Sequence, residues 1–418
     1  MRAVLWLLTA TFALIVVGCG GKNDETSSNS DKAGPKTQSN QDPNPVPEGP
    51  GDENAPGDDA PDGENALGHK APDGGGSPSG ATKERPANAS PLNLSYITDT
   101  YFAAAIIRPA DIIAEKIIQG VPTDAIPDDV LGELGLKPDQ VEEIVVLFGA
   151  DSFDPSSQPS VILRLVEGVE TSSLIEKLAS QDEVKTSQYN GFTIHAQSFG
   201  PSVTSRGREI LLTGSEDKLK AMLDANNAES PLIDKLKQVD SSRQVAFAFS
   251  LAPVRDTIHQ LIDSGASNLP AMAVPMVNAA KSIDSGIIYI DLAHDNLLDL
   301  QLEATDETGG TELSSALQNG VSLLKLFYPG FKAKIQEDAP FPLDESLLKV
   351  SDELIGSLTI EQQGTSVSLT VGHPVGLAEA VSAAVEGAAE AAKAMSGVNN
   401  VKKIMIAFHN YHDTFKSF

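Results

Sequence analysis

The sequence predicts an α+β body built as two related units of largely antiparallel sheet with helices packed on one face, and three observations predict it. Short apolar runs with the two-residue alternation of half-buried strands recur in pairs, as in Leu298-Asp299-Leu300-Gln301-Leu302-Glu303. Each pair leads into a stretch with helical periodicity rather than into a further strand. The order strand, helix, two strands, helix, two strands, helix runs once through residues 91–240 and again through 241–396.

Taken along the chain, Tyr101 to Ile107 is an apolar run that passes through Arg108-Pro109-Ala110-Asp111 into a helix ending before Gly120, with proline where a first helical turn tolerates it. Glu143 to Gly149 and Ser160 to Val166 read as a strand pair, and Thr171 to Ala179 as a helix. Gly191 to Gln197 and Arg208 to Thr213 form the next pair and lead into the helix Ser215 to Leu223. The second unit opens in the same way: Val245 to Leu251, then Ala252-Pro253-Val254-Arg255-Asp256, then a helix reaching Ile262. Its strand pairs are Gly286 to Leu292 with Leu297 to Ala304, and Leu354 to Gln362 with Ser366 to Gly372. Their helices are Glu312 to Phe327 and Leu377 to Ala394. If the units are related, the junction Ala225 to Gln244 is where a groove is expected.

What precedes the body is of another kind. Arg2, the apolar run Val4 to Val17 and Gly18-Cys19 resemble a bacterial lipoprotein signal, in which cleavage before the cysteine leaves an acylated N-terminus. Residues 1–18 are then the signal peptide and Cys19, the only cysteine of the chain, the lipidation site; the alternative is an ordinary signal peptide or an uncleaved anchor. Residues 19–90 lack hydrophobic periodicity and are crowded with Gly, Pro, Ser, Asn and Asp, as in Asp73-Gly74-Gly75-Gly76-Ser77-Pro78, a composition that cannot offset the entropy of ordering. A coil of about 70 residues has a root-mean-square reach on the order of 45 Å, so the stretch reads as a disordered tether. The formal net charge of −28 argues against nucleic acid as a partner and fits an exported acidic protein.

Chemistry is sparse. The chain holds no G-x-S-x-G elbow, Walker loop, H-E-x-x-H or dinucleotide fingerprint, and no cofactor is expected. Glu142-Glu143 and Asp344-Glu345 read as solvated caps, Asp128-Asp129 as a helix start, and Asp306-Glu307-Thr308-Gly309-Gly310 as a polar turn before a helix. His195, His259, His294 and His373 stand singly at element edges. His409 and His412, three apart on a helical face with Asp413 adjacent, are the one candidate metal set.

The end of the chain carries a resemblance. Glu390-Ala391-Ala392-Lys393, Asn399-Asn400-Val401-Lys402-Lys403-Ile404 and Ala407-Phe408-His409-Asn410-Tyr411-His412-Asp413-Thr414 resemble a signature abundant in planctomycete proteins, N-N-L-K-Q-I followed by H-N-Y-H-D. That family is classed as a domain of unknown function, and many members begin with a prepilin-like helix. The resemblance implies a planctomycete-type envelope protein and covers about thirty residues. It departs from the family in standing at the C-terminus behind a lipobox, so pilus assembly does not carry over. Val401, Ile404, Met405, Phe408 and Tyr411 recur at helical spacing, which predicts an amphipathic segment over 397–418 in need of a partner surface. That segment is expected to project from a truncated reading frame, or alternatively to lie back on the core of a complete protein.

Two functions follow as expectations. One is a lipid-anchored extracytoplasmic envelope protein with a non-catalytic binding or structural role, held at the membrane through Cys19 and facing an unidentified envelope protein or surface component. The other is an extracytoplasmic metal-dependent hydrolase using His409, His412 and Asp413.

Overall fold

The computed structural model describes residues 91–119, 135–154, 157–179, 184–197, 200–226, 228–266, 274–338, 345–384 and 387. These residues fold around one twelve-stranded antiparallel sheet rather than a sheet for each unit. Its strands in chain order are β1 Tyr101–Ile107, β2 Val141–Gly149, β3 Ser160–Leu165, β4 Val184–Tyr189, β5 Phe192–Gln197, β6 Ser202–Arg206, β7 Glu209–Thr213, β8 Val245–Ser250, β9 Ile283–Ile290, β10 Asn296–Ala304, β11 Thr359–Gln363 and β12 Ser366–Gly372. Across the sheet they stand in the order β11-β12-β10-β9-β8-β1-β2-β3-β7-β6-β5-β4.

The centre of that order is the antiparallel pair β1–β8, and outward from it the two directions match strand for strand. One runs β1, β2, β3, β7, β6 and the other β8, β9, β10, β12, β11. Ala104 pairs with Ala248, and Pro109 and Pro253 follow them at the same interval, so a pseudo-twofold axis passes through that alanine pair. The first unit adds β5 and β4 beyond β6. The expected neighbours β5 and β7 are therefore not partners, because β6 lies between them.

Two local rules account for the strand faces. Alternation in β2 buries Val141, Glu143, Val145, Leu147 and Gly149 and leaves the residues between them half-buried. Register then carries each face across the sheet. On one face, the row Ile162, Val145, Ile106, Ala246, Tyr289 continues into Asp299, Thr370 and Thr359. This face is apolar over the centre and most of the first unit, where one buried charged row crosses it, and polar from β10 outward. Its apolar part is covered by Leu219 and Met222 of helix α4 (Glu216–Asp224), by Leu232, Ile233 and Leu236 of α5 (Pro231–Leu236), and by Tyr96 and Ile97 of the entering chain. Both helices begin on a serine that accepts a backbone N–H, Ser215 from Lys218 and Ser230 from Ile233.

The opposite face is apolar over most of the sheet, with Glu142 on β2 and Thr186, Gln188, Thr193 and His195 on β4 and β5 among the exceptions. In the first unit Leu174 and Ile175 of α3 (Thr171–Ala179) pack there on Val161, Leu163 and Ile210. The short helices α1 (Pro109–Ile113) and α2 (Lys116–Gln119) follow β1. In the second unit α6 (Arg255–Ala266) and α7 (Val274–Ala280) precede β9. Leu313, Leu317 and Val321 of the 32-residue α8 (Glu307–Asp338) and Leu354 of α9 (Glu345–Gly356) meet Leu300, Leu302, Val367 and Leu369. In the second unit the helices that cover the sheet thus lie on one face, as the pattern predicts, while in the first α3 lies on that face and α4 and α5 on the other.

Two sequence expectations need correcting in α8 and α9. The helix expected to stop at Phe327 runs on through Pro329 to Asp338, since proline removes one backbone N–H but does not by itself end a helix. Leu354 belongs to the end of α9, so the following strand starts only at Thr359. Asp306 and the glycines after it form the start of α8, where Asp306 Oδ1 accepts the Gly309 N–H at 2.7 Å. A Cβ on Gly310 would stand 2.5 Å from the Gly364 carbonyl oxygen, so only glycine lets the helix approach the β11–β12 turn. Residues 377–384 are helical again. Cys19, the tether, and the segment 397–418 with His409, His412 and Asp413 lie outside the described residues.

Candidate functional site

Two polar arrangements stand on the same sheet face. The first is a buried row of charge across the first unit, where register sets Glu143 of β2 beside Arg164 of β3 and Arg164 beside Glu209 of β7. Arg108 Nη2 donates to Glu143 Oε2 at 2.9 Å, Arg164 Nη1 lies 3.4 Å from Glu143 Oε1, and Arg164 Nη2 lies 3.4 Å from Glu209 Oε1. Asn93 closes the row by donating Nδ2 to both Glu209 oxygens at 2.9 Å, and Arg108 Nη1 donates to the Arg243 carbonyl at 2.5 Å. Burial pushes the Glu143 carboxyl up, against the pull of the Arg108 and Arg164 guanidinia. Glu143, expected as a solvated cap, is therefore 3% exposed and doubly paired. Its neighbour Glu142 points to the other face and pairs with the half-exposed Arg208. The cause is the strand period: adjacent glutamates cannot share an environment on a sheet. Every charge in the row has a partner, so its role is to hold the entering chain and β1 to the sheet.

The second arrangement is an open groove on the polar half of the face. Asp299, Gln301 and Glu303 of β10 and Ser366, Ser368 and Thr370 of β12 form its floor, Lys235 and Gln238 its wall, and its volume is about 310 Å³. The wall residues come from α5 and the turn after it, inside the 225–244 junction. The floor is a grid, with Asp299 opposite Thr370, Gln301 opposite Ser368 and Glu303 opposite Ser366, on strands about 4.8 Å apart. Beside it the Arg243 guanidinium lies over the Tyr289 ring, 5.3 Å from its centroid, and 3.8 Å from Asp299. Such a grid offers hydroxyl, carboxamide and carboxylate groups to a polar ligand and presents no nucleophile held by a base. The sequence showed its members as the polar half of an alternating strand; that α5 would wall them in was not visible there.

The remaining candidates are dispersed. His195 lies 3.5 Å from Thr186 Oγ1, His259 lies 3.1 Å from the Lys281 carbonyl, and His373 donates its backbone N–H to Asp295. His294 sits 3.0 Å from the buried Asp291. Burial acts to raise the Asp291 carboxyl but is outweighed by N–H donation from Ala293 and Gln244 and by His294, so it is held below the usual carboxylate range. Asp291 thereby ties Gln244, at the end of the junction, to the end of β9. Among the described residues no three His, Cys, Asp or Glu side chains converge as metal ligands.

Comparison with known proteins adds one family match, confined to the end of the chain. The family described as "Protein of unknown function (DUF1559)" matches residues 387–418, which accords with the signature at 390–414. No curated protein matches. Among solved structures, crystal form I of TP0453 is 13% identical with a TM-score of 0.34, over 71% of this chain and 98% of that one. Crystal form III is 14% identical with a TM-score of 0.36, over 70% and 99%. Neither figure reaches the level at which a shared fold would follow.

Proposed function

We propose that the chain is a lipid-anchored extracytoplasmic envelope protein whose α+β body has a binding or structural role rather than a catalytic one. The observation that carries the proposal is the layout of the sequence: one cysteine closing a short apolar run, about seventy residues of Gly/Pro/Asp-rich chain, then the body. Such a layout attaches a folded domain at a distance from a surface. Among the described residues no helix is long and apolar enough to cross a membrane. The groove walled by Lys235 and Gln238 is the part of the body to which we assign binding, because this polar half-sheet is the open part of a face otherwise covered by helices.

The test is metabolic labelling with a radioactive fatty acid, followed by detergent phase separation. Wild-type protein is expected to carry label and partition with detergent, whereas Cys19→Ala is expected to carry none. Label on the alanine variant would overturn the anchored reading.

A further inference from the structure

The apolar stripe of α8 does not end where the sheet ends. Leu313, Leu317, Gly320, Leu324, Phe327 and Phe331 recur at alternating intervals of four and three, so they lie along one side of the helix. Leu313 is 4% exposed against the sheet, but Leu324, Phe327 and Phe331 are 41%, 52% and 63% exposed, and Leu326 on the far side is 69% exposed. Four of the large exposed apolar side chains of the described residues thus fall within eight consecutive positions. The distal half is nonetheless held in place: Tyr328 Oη lies 3.0 Å from Asp352 of α9, and Lys332 Nζ is 2.7 Å from the same carboxylate.

Its charge also runs against the acidic balance of the chain as a whole. Between Glu312 and Glu337 there is no acidic residue, while Lys325, Lys332 and Lys334 fall inside it, in a protein of formal net charge −28. Lys325 and Lys334 are exposed, form no ion pair with a described residue, and flank the stripe on either side. Apolar side chains that project between lysines, on a helix lying across a fixed support, fit the boundary of an anionic lipid layer. The stems of the lysines lie along the apolar surface and their ammonium groups meet headgroups. A second copy of the chain fits less well. The four side chains together expose no more than a few hundred Å², below the roughly 800 Å² per partner that a stable dimer uses, and the lysines would face lysines.

We propose that the distal half of α8, Leu324 to Lys334, is a lipid-contacting surface that docks the body on an anionic membrane. The inference takes from the anchored reading only the nearness of a membrane, and the experiment separates the two. The only tryptophan of the chain is Trp6, so Phe327→Trp in the full-length protein places an indole on the stripe whose emission is read after subtracting that of the parent. Vesicles of phosphatidylcholine alone and with about three parts in ten phosphatidylglycerol are added, with and without brominated acyl chains. The expected result is a blue shift and bromine quenching with the anionic vesicles, weakened by salt. Phe331→Ser in the same background is expected to lower the partition coefficient about tenfold. Lys325→Gln with Lys334→Gln is expected to lower it about twenty-five-fold, at roughly fivefold per lysine. Both variants alter exposed side chains, so an unchanged melting temperature verifies that the body is intact.

An indole that keeps its water-exposed emission and escapes quenching with every vesicle overturns the proposal. So does a blue shift that appears without vesicles as protein concentration rises, which is the signature of self-association. Loss of fatty-acid label at Cys19→Ala bears on the anchor alone, because the signal at position 327 reports contact by α8 wherever the N-terminus is.

Discussion

Replacing Glu143 by alanine tests whether the buried row holds the first unit together. The carboxylate serves two guanidinia, Arg108 at 2.9 Å and Arg164 at 3.4 Å, and the three side chains are 4%, 6% and 9% exposed. Removing one partner of a buried pair leaves an uncompensated charge and costs about 3–5 kcal/mol. Here the loss falls unequally, since Arg164 retains Glu209 and the Pro91 carbonyl while Arg108 retains only the Arg243 carbonyl. We therefore expect Glu143→Ala to destabilise by about 3–5 kcal/mol, nearly all of it through Arg108. Arg108→Met combined with Glu143→Leu leaves no charge stranded, and is expected to recover most of that loss. Urea unfolding of the full-length protein followed by far-ultraviolet circular dichroism measures both. A single variant within about 1 kcal/mol of wild type, or a double variant no better than the single, would refute the assignment of the row as a structural clamp.

Two further outcomes follow from the packing. Asp291 is held below the usual carboxylate range, so its contribution is present above the unfolded value of about 3.9 and is lost as pH falls through the lower folded value. The wild-type melting temperature should accordingly fall more steeply than that of Asp291→Asn on acidification below about pH 4; parallel profiles would show that the carboxylate is not the linked group. A Cβ on Gly286 of β9 would stand 2.8 Å from the Gln301 carbonyl oxygen, from Leu302 Cδ2 and from Phe249 Cζ. Gly286→Ala should cost about 1–3 kcal/mol by calorimetry, and a neutral result would mean that β9 and β10 have room to part.

The sequence shows the strands that carry a clear apolar face under helices and misses those that do not. Tyr101 to Ile107 and Ser366 to Gly372 coincide with β1 and β12, because their apolar residues alternate or run continuously under helices. Val184–Tyr189 and Ser202–Arg206 carry few apolar side chains, since β4 is an edge strand and β6 lies near that edge. Neither presents the two-residue pattern that betrays a buried strand. The short helix Pro231–Leu236 escapes for the opposite reason, having too few turns for a period to appear. Glu143 and Glu209 look like surface glutamates in sequence, and only the register of β2, β3 and β7 brings arginines to them. The groove is half legible: the polar alternation of Asp299, Gln301 and Glu303 is plain, whereas the wall that makes a groove of it depends on where the junction returns across the sheet.

The alanine pair at the centre of the sheet has a consequence for how such a chain can arise and fail. An antiparallel contact across a twofold axis is self-complementary, so the free edge of either half has the same direction and spacing as the edge it meets. A half-length ancestor would have closed that edge with a second copy of itself, and joining the copies end to end makes the seam permanent at any dilution. The same geometry makes a severed half adhesive: cut within residues 225–244, each piece exposes a bare strand edge that can zip to its twin as readily as to its lost neighbour.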